Sequence, residues 1–165
     1  MNLRKLEIKD APFMLEWMHD PTVVEFMQAD FAKKTLTDCE TFIKDSWDNK
    51  KNLHLAIVDE QDTYMGTVSL KNINIQTFSA EFAITVRSSA MGRGYSQYGM
   101  RQIFDIGKKQ CGLKNIYWCV SPENKRAIRF YDKNGYQRVD KNEVNHEGYT
   151  SDQINSFIWY QEMLF

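Results

Sequence analysis

The sequence predicts one α+β domain, built on a central, mixed and mostly antiparallel sheet of about seven strands with helices on both faces. Three observations support this prediction. The chain has 165 residues, enough for one domain over residues 1–165. No repeat, linker or low-complexity stretch divides it. Its elements follow the order strand, two or three helices, three antiparallel strands, helix, strand, helix and two strands.

The first third of the chain combines one strand with several helices. Leu3 to Ile8 is predicted to be a short strand. A helix is expected from Asp10, whose side chain can cap it, to about His19. Asp20-Pro21 then ends this helix and begins a short one, because proline suits the first helical position. Thr37 and Glu40 have the spacing of a capping box for the next helix.

The middle of the chain is rich in strands. Leu53 to Val58 and Tyr64 to Leu70 flank the polar residues 59–63, which predicts a hairpin. Ser79 to Val86 is a third strand, and the pattern becomes helical from Ser96 to Gln110. The remaining predicted elements are the strand Ile116 to Val120, the helix Asn124 to Asn134 stopped by Gly135, the strands Tyr136 to Val139 and Phe157 to Leu164, and a polar loop from Lys141 to Ser156.

Charge and cysteine content exclude several functions. Lys and Arg total 21 against 22 acidic residues, a balance that argues against binding nucleic acid through its phosphates. No apolar run reaches the roughly 18 residues of a membrane span, and the residues after Met1 lack the apolar run of a secretory signal. The three cysteines lack the spacing of a disulfide framework or a metal site. We therefore expect a cytoplasmic protein that binds no metal.

A glycine-containing segment, Met91-Gly92-Arg93-Gly94-Tyr95-Ser96, lies between a predicted strand and a predicted helix. Glycines let the backbone turn so that several N–H groups point one way, and a helix N-terminus adds positive potential. This combination suits a pyrophosphate, although an ordinary tight connection has the same composition. A dinucleotide-binding loop is excluded because Gln97 stands where a third glycine is required.

A second signal is the helix that begins at Asn124. Ala127 and Tyr131 share one face of it, with Asn124 at its entrance. A tyrosine hydroxyl in this position can donate a proton to a leaving group, whereas a tyrosine in the core would have its hydroxyl satisfied by hydrogen bonds.

Together and in this order, the two segments resemble the cofactor-binding segments of the GNAT acetyltransferase superfamily. The branch of ribosomal-protein N-terminal acetyltransferases and their small-molecule relatives is the most similar. The resemblance covers nearly the whole chain and extends to Leu3–Leu6, Leu15–Pro21, Gly66–Leu70 and Ala80–Ile84. Two residues depart from the family pattern: Met91 replaces the usual Gln or Arg, and Ser96 replaces the small last residue.

The resemblance implies transfer of an acetyl group from acetyl-CoA to an amine by direct attack. In that family the fourth and fifth strands splay apart and the pantetheine arm lies in the gap. Carried onto this chain, Tyr131 would protonate the departing thiolate. The residues expected to bind the cofactor are Ile84, Thr85 and Val86 through their backbone, Asn124 on the other side of the arm, and Met91, Gly92, Arg93, Gly94, Tyr95 and Ser96 around the pyrophosphate.

The amine must be neutral to attack, which favours a general base. A lysine-like amine is only about 1 part in 2,500 neutral at pH 7, a cost of roughly 4.6 kcal/mol, whereas an α-amino group costs about 1–1.4 kcal/mol. Glu81 is the candidate base because it shares a strand face with Ala83 and Thr85 and leads to the glycine segment. A solvated or salt-bridged strand glutamate is the alternative, and His54 and His146 are other candidates.

The identity of the acceptor is open at this stage. A protein N-terminus, a polyamine or antibiotic amine, and a nucleotide-linked amino sugar are all compatible, and the acceptor is expected near residues Val23 to Lys34 and His146 to Tyr149. A CoA-binding module without turnover, or a binding domain whose glycine segment is only a turn, are alternatives from other classes. The expected assembly is a monomer or a homodimer.

Overall fold

The computed structural model of the protein describes residues 1–165 and has one seven-stranded sheet in the order β1-β2-β3-β4-β5-β7-β6. The strands are β1 (Asn2–Lys5), β2 (Leu53–Val58), β3 (Tyr64–Asn74), β4 (Ser79–Val86), β5 (Asn115–Val120), β6 (Gln137–Arg138) and β7 (Ile158–Met163). All neighbouring pairs are antiparallel except β4 and β5, which are parallel. The predicted α+β fold, with its mixed and mostly antiparallel sheet, is confirmed.

Six α-helices accompany the sheet, and short 3-10 turns join some of them. The helices are α1 (Ala11–Met18), α2 (Pro21–Val24), α3 (Leu36–Ser46), α4 (Tyr95–Gln110), α5 (Lys125–Lys133) and α6 (Ser151–Ser156). None of them is long and apolar enough to cross a membrane.

Two apolar layers pack on opposite faces of the sheet. On one face Ile57, Phe82 and Trp118 pack against Ile103 and Phe104 of α4. The layer on the other face contains Leu6, Met14, Trp17, Ile43, Ala56 and Val58 and is covered by α1 and α3. Because side chains alternate along a strand, Glu81, Ala83 and Thr85 of β4 point away from the α4 layer and toward the α1 and α3 side.

The starts of two helices differ from the sequence-based prediction. The capping box of α3 consists of Thr35 and Asp38, so the predicted pair Thr37 and Glu40 is wrong. The predicted loop from Lys141 to Ser156 contains α6, which begins after a second capping box formed by Thr150 and Gln153. In both cases paired side-chain and backbone hydrogen bonds start a helix whose exposed first turn shows little apolar pattern.

Asp10 lies at the predicted helix start, but its carboxylate does not cap α1. It accepts hydrogen bonds from the Glu7 N–H and from two guanidinium nitrogens of Arg4, at 2.8, 2.8 and 2.9 Å. Asp10 is 1% exposed, so this bidentate pair ties β1 to the entrance of α1 within the protein interior.

Replacing Gly66 with Ala is expected to destabilise the fold by about 1–3 kcal/mol, because β3 and β4 approach too closely at this point for a side chain. A Cβ on Gly66 would overlap the carbonyl oxygen of Thr85 and lie 2.9 Å from Cγ1 of Val86. Denaturant unfolding measures the change. Gly107→Ala in α4 is the control: its Cβ would lie 3.1 Å or more from the terminal methyl groups of Leu70, Leu113 and Ile116, and alanine favours the helix. An equal loss in both variants would contradict the explanation.

Candidate active site

A gap opens between β4 and β5 in the middle of the sheet. The two strands pair only from Ser79 with Asn115 to Glu81 with Tyr117. Beyond that point β4 continues beside β3 as far as Val86, and β5 continues beside β7 as far as its own end. The edge of β4 that faces β5 therefore has no strand partner from Phe82 to Val86. Ile84, Thr85 and Val86, the residues predicted to contact the cofactor arm, lie on this open edge.

The glycine segment leads from β4 into α4 and presents unpaired backbone donors. Gly92 and Gly94 have φ values of +75° and +86°, which a residue with a side chain rarely adopts. The six backbone N–H groups from Gly92 to Gln97 donate no hydrogen bond within the protein. A Cβ on Gly92 would meet no atom within 4 Å, so the segment is open on its outer side. Free N–H groups at the start of a 16-residue helix form a site for an anion such as a pyrophosphate.

The glycine segment and α5 lie side by side. Arg126 donates a hydrogen bond to Sδ of Met91 at 2.9 Å, and Gln97 donates one to Oδ1 of Asn134 at 2.9 Å. The structure therefore brings the two predicted cofactor segments together, although Asn124 is 28 positions after Ser96 in the chain.

Asn124 occupies the N-cap of α5. Its Oδ1 accepts a hydrogen bond from the Ala127 N–H at 3.1 Å, which fixes the side chain at the helix entrance. The amide Nδ2 donates to no protein group and is free for a ligand. Arg93 is exposed in the glycine segment, where its guanidinium lies 5.5 Å from the ring centre of Tyr95.

Tyr131 lies on the inner face of α5 within an aromatic cluster. Its ring centre is 5.3 Å from that of Trp118 in β5 and 5.1 Å from that of Tyr160 in β7. The side chain is 8% exposed, yet its hydroxyl makes no hydrogen bond and is not among the fully buried unpaired atoms. The hydroxyl therefore reaches solvent. Burial raises the pKa of Tyr131 above its usual range, with smaller contributions from Tyr160, Tyr136 and Cys119, so the phenol stays protonated.

Glu81 lies at the apex of the gap and is 4% exposed. One carboxylate oxygen accepts a hydrogen bond from the Tyr149 hydroxyl and lies 3.3 Å from Nζ of Lys71. The other is 3.4 Å from Nδ2 of Asn72. Glu81 is thus a buried, hydrogen-bonded carboxylate that also forms an ion pair with Lys71, so it is not a solvated strand glutamate, whereas the salt-bridged alternative matches this contact.

Lys71, Asn72 and Cys119 did not emerge from the sequence as site residues. The predicted strand ended at Leu70, whereas β3 extends to Asn74 and places Lys71 opposite Glu81. The register of the β3–β4 hairpin was the signal that could have identified Lys71. Burial raises the pKa of the Cys119 thiol in β5 to about 12, and Cys119 in turn contributes to the raised pKa values of Tyr131 and Tyr149.

The segment that follows the predicted acceptor residues His146–Tyr149 contacts the other predicted segment, Val23–Lys34. Gln153 of α6 donates a hydrogen bond to Oε1 of Gln28 at 2.9 Å. Tyr149 contacts Glu81, so the segment that precedes α6 reaches the apex of the gap. His146 contributes its backbone carbonyl, which accepts a hydrogen bond from the Tyr149 N–H at 3.1 Å.

His54 of β2 lies on the same face of the sheet. Its Nδ1 is 2.6 Å from Oγ of Ser69, and its ring is 4.7 Å from that of Phe42. Burial and the nearby Lys71 lower the pKa of His54 to about 4, so the imidazole is neutral at pH 7. These contacts are those of a structural histidine that packs under α3.

Comparison with known proteins agrees with this geometry. The sequence profile of the acetyltransferase (GNAT) domain matches residues 1–137. The chain belongs to the GNAT acetyltransferase family. It is an acetyl-CoA-dependent N-acetyltransferase, and the free N–H groups and the open strand edge fit acetyl-CoA as its co-substrate.

Several GNAT relatives cover most of the chain. The N-acetyltransferase p20 of Bacillus licheniformis is 26% identical over 84% of this chain and 79% of its own length. The spermidine N(1)-acetyltransferase of Vibrio cholerae is 25% identical over 82% of this chain and 78% of its own length. The crystal structure of a V. cholerae spermidine N-acetyltransferase in complex with CoA and spermine has a TM-score of 0.80 and 20% identity, and the match covers 98% of this chain and 94% of the other.

The predicted GNAT resemblance is thereby confirmed at the level of the family. The named substrates of these relatives are polyamines and not the N-termini of ribosomal proteins.

Proposed function

We propose that the acceptor is a cationic small-molecule amine of the polyamine class. The observation that carries this proposal is the acidity of two segments, residues 20–38 and residues 140–153, which the Gln28–Gln153 hydrogen bond joins. The first segment, residues 20–38, contains Asp20, Glu25, Asp30 and Asp38 against Lys33 and Lys34. The second, residues 140–153, contains Asp140, Glu143, Glu147 and Asp152 against Lys141. The negative charge of these two segments attracts a polycation and raises its local concentration.

The relatives support the same acceptor class. Spermidine N-acetyltransferases share this fold over nearly the whole chain, and one of them was solved with CoA and spermine bound. A terminal polyamine nitrogen is protonated at neutral pH, so its acetylation requires removal of a proton before attack. The buried carboxylate of Glu81 at the apex of the gap suits that task.

The proposed roles of the site residues follow from their positions. The N–H groups of the glycine segment bind the pyrophosphate, and the open edge of β4 and the free amide of Asn124 hold the pantetheine arm. Glu81 accepts the proton of the amine. Tyr131 gives its proton to the thiolate as the tetrahedral intermediate collapses, and its raised pKa keeps that proton available.

A protein N-terminus is the second candidate acceptor. The opening residues of the chain resemble the ribosomal-protein branch of the family, and an α-amino group needs less help from a base.

The expected cytoplasmic location and the expected monomer or homodimer remain predictions. One solved spermidine N-acetyltransferase of similar fold is described as dodecameric, so sedimentation measurements on this protein are informative.

A thiol-release assay with acetyl-CoA tests the acceptor. We expect spermidine and spermine to give kcat/KM values at least tenfold above those of peptides that begin with Ser or Ala. Preference for the peptides would favour the second candidate. CoA binding without thiol release from any amine would instead indicate a module without turnover.

A further inference from the structure

The carboxylate that is proposed to act as base is enclosed by protein groups. Glu81 is 4% exposed, and both of its oxygens have partners among Lys71, Asn72 and Tyr149. Because Glu81 is 4% exposed, these partners leave little of the carboxylate open to an alkyl ammonium group. The proton therefore requires an intermediate group that contacts both the acceptor and Glu81.

Tyr149 occupies the position of such a group. Its hydroxyl donates a hydrogen bond to Oε1 of Glu81. The residue is half-buried, and its ring packs edge-on against Trp159 at 5.2 Å between ring centres. Its backbone belongs to the segment 146–149 that is expected to border the acceptor. Tyr149 thus links the acceptor side of the gap to the buried carboxylate.

We propose that Tyr149 is a catalytic residue that relays the proton of the acceptor ammonium to Glu81. The ammonium N–H proton passes to the Tyr149 oxygen while the Tyr149 hydroxyl proton passes to Oε1 of Glu81. The amine becomes neutral, Glu81 becomes a carboxylic acid and Tyr149 is again a neutral phenol. Glu81 later releases the proton to solvent. This proposal rests on the proposed acetyl transfer to an amine.

The surrounding charges are compatible with this transfer. Lys71 faces Glu81 from β3 and compensates its negative charge, while Tyr117 and Cys119 face it from β5. Glu147, in the segment before α6, is near Tyr117. His54 of β2 is near Lys71 of β3. Burial raises the pKa of Tyr149 above its usual range, so the phenol keeps a proton to pass on.

The pH dependence of Tyr149→Phe tests the relay. With spermidine as acceptor and thiol release as the signal, we expect kcat/KM to fall at least about tenfold at pH 7. The deficit should shrink toward pH 9.5, because more of the amine is already neutral and needs no relay. It should also be smaller for a peptide α-amine, whose pKa is lower. A purely structural role would give the same deficit at every pH and with both acceptors, which would overturn the proposal.

Two further variants keep the test decisive. Tyr160→Phe also removes a tyrosine hydroxyl bonded to a carboxylate, Asp132 at 2.9 Å, and should retain the wild-type dependence on pH. Glu81→Gln should reproduce the Tyr149→Phe profile, and the double variant should be no slower than the slower single variant. Additive losses would overturn the relay. If the wild type acetylates only the peptide, the polyamine proposal fails, and the pH dependence measured with the peptide still decides the role of Tyr149.

Discussion

Replacing Tyr131 with Phe is expected to lower kcat by about 10²–10⁴-fold while leaving the affinity for acetyl-CoA and the stability nearly unchanged. The hydroxyl of Tyr131 makes no hydrogen bond within the protein, so its removal breaks no contact that holds the fold together. The phenylalanine ring keeps the packing against Trp118 and Tyr160. In the mechanism that we propose, what disappears is the proton that neutralises the thiolate as it departs from the tetrahedral intermediate.

The separation of activity from binding makes this prediction specific. Thiol release gives kcat, calorimetric titration gives the acetyl-CoA affinity, and thermal unfolding gives the stability. Tyr136→Phe is the matched control, because Tyr136 belongs to the same aromatic cluster and its ring is 6.2 Å from that of Tyr131. Its hydroxyl also makes no hydrogen bond, and we expect near wild-type turnover. Full activity in Tyr131→Phe would remove the hydroxyl from the mechanism.

The main elements of the fold could be predicted from local sequence. The strands β2 and β4 have the predicted bounds because their apolar residues are consecutive or alternate with polar ones, and polar turns flank each strand. The two segments that are predicted to bind the cofactor were also identifiable, since Gly92, Gly94 and Asn124 have backbone or capping roles that depend on residue type. These features are encoded within a few neighbouring residues.

Features that depend on distant contacts could not be predicted in the same way. The position of β7 between β5 and β6 follows from sheet pairing and not from the pattern of β7 itself. The burial of Glu81 depends on Lys71 across a hairpin and on Tyr149, 68 residues further along the chain. An acidic residue on a strand is usually solvated. Only the assembled structure shows that partners from two other elements enclose this one.

Replacing Ser96 with Pro is expected to weaken acetyl-CoA binding by about 10- to 100-fold. Ser96 is the second residue of α4, and its N–H is one of the six that have no partner in the protein. Proline removes that N–H but is tolerated in the first turn of a helix, so the fold should remain intact. A hydrogen bond to a charged group contributes about 1.5–3 kcal/mol, which corresponds to this loss of affinity.

A truncated substrate and a matched variant identify the cause of this loss. Acetyl-pantetheine lacks the pyrophosphate, so Ser96→Pro should bind or use it as well as the wild type does. Ser96→Ala keeps the N–H and removes a hydroxyl that has no hydrogen-bond partner in the protein, so its affinity for acetyl-CoA should not change. Equal losses for acetyl-CoA and acetyl-pantetheine would mean that proline distorts the gap between β4 and β5. A loss confined to acetyl-CoA means that the backbone of the glycine segment binds the pyrophosphate. Because a backbone contact does not need the side chain at position 91, Met91 can then replace the usual Gln or Arg without a loss of affinity for acetyl-CoA.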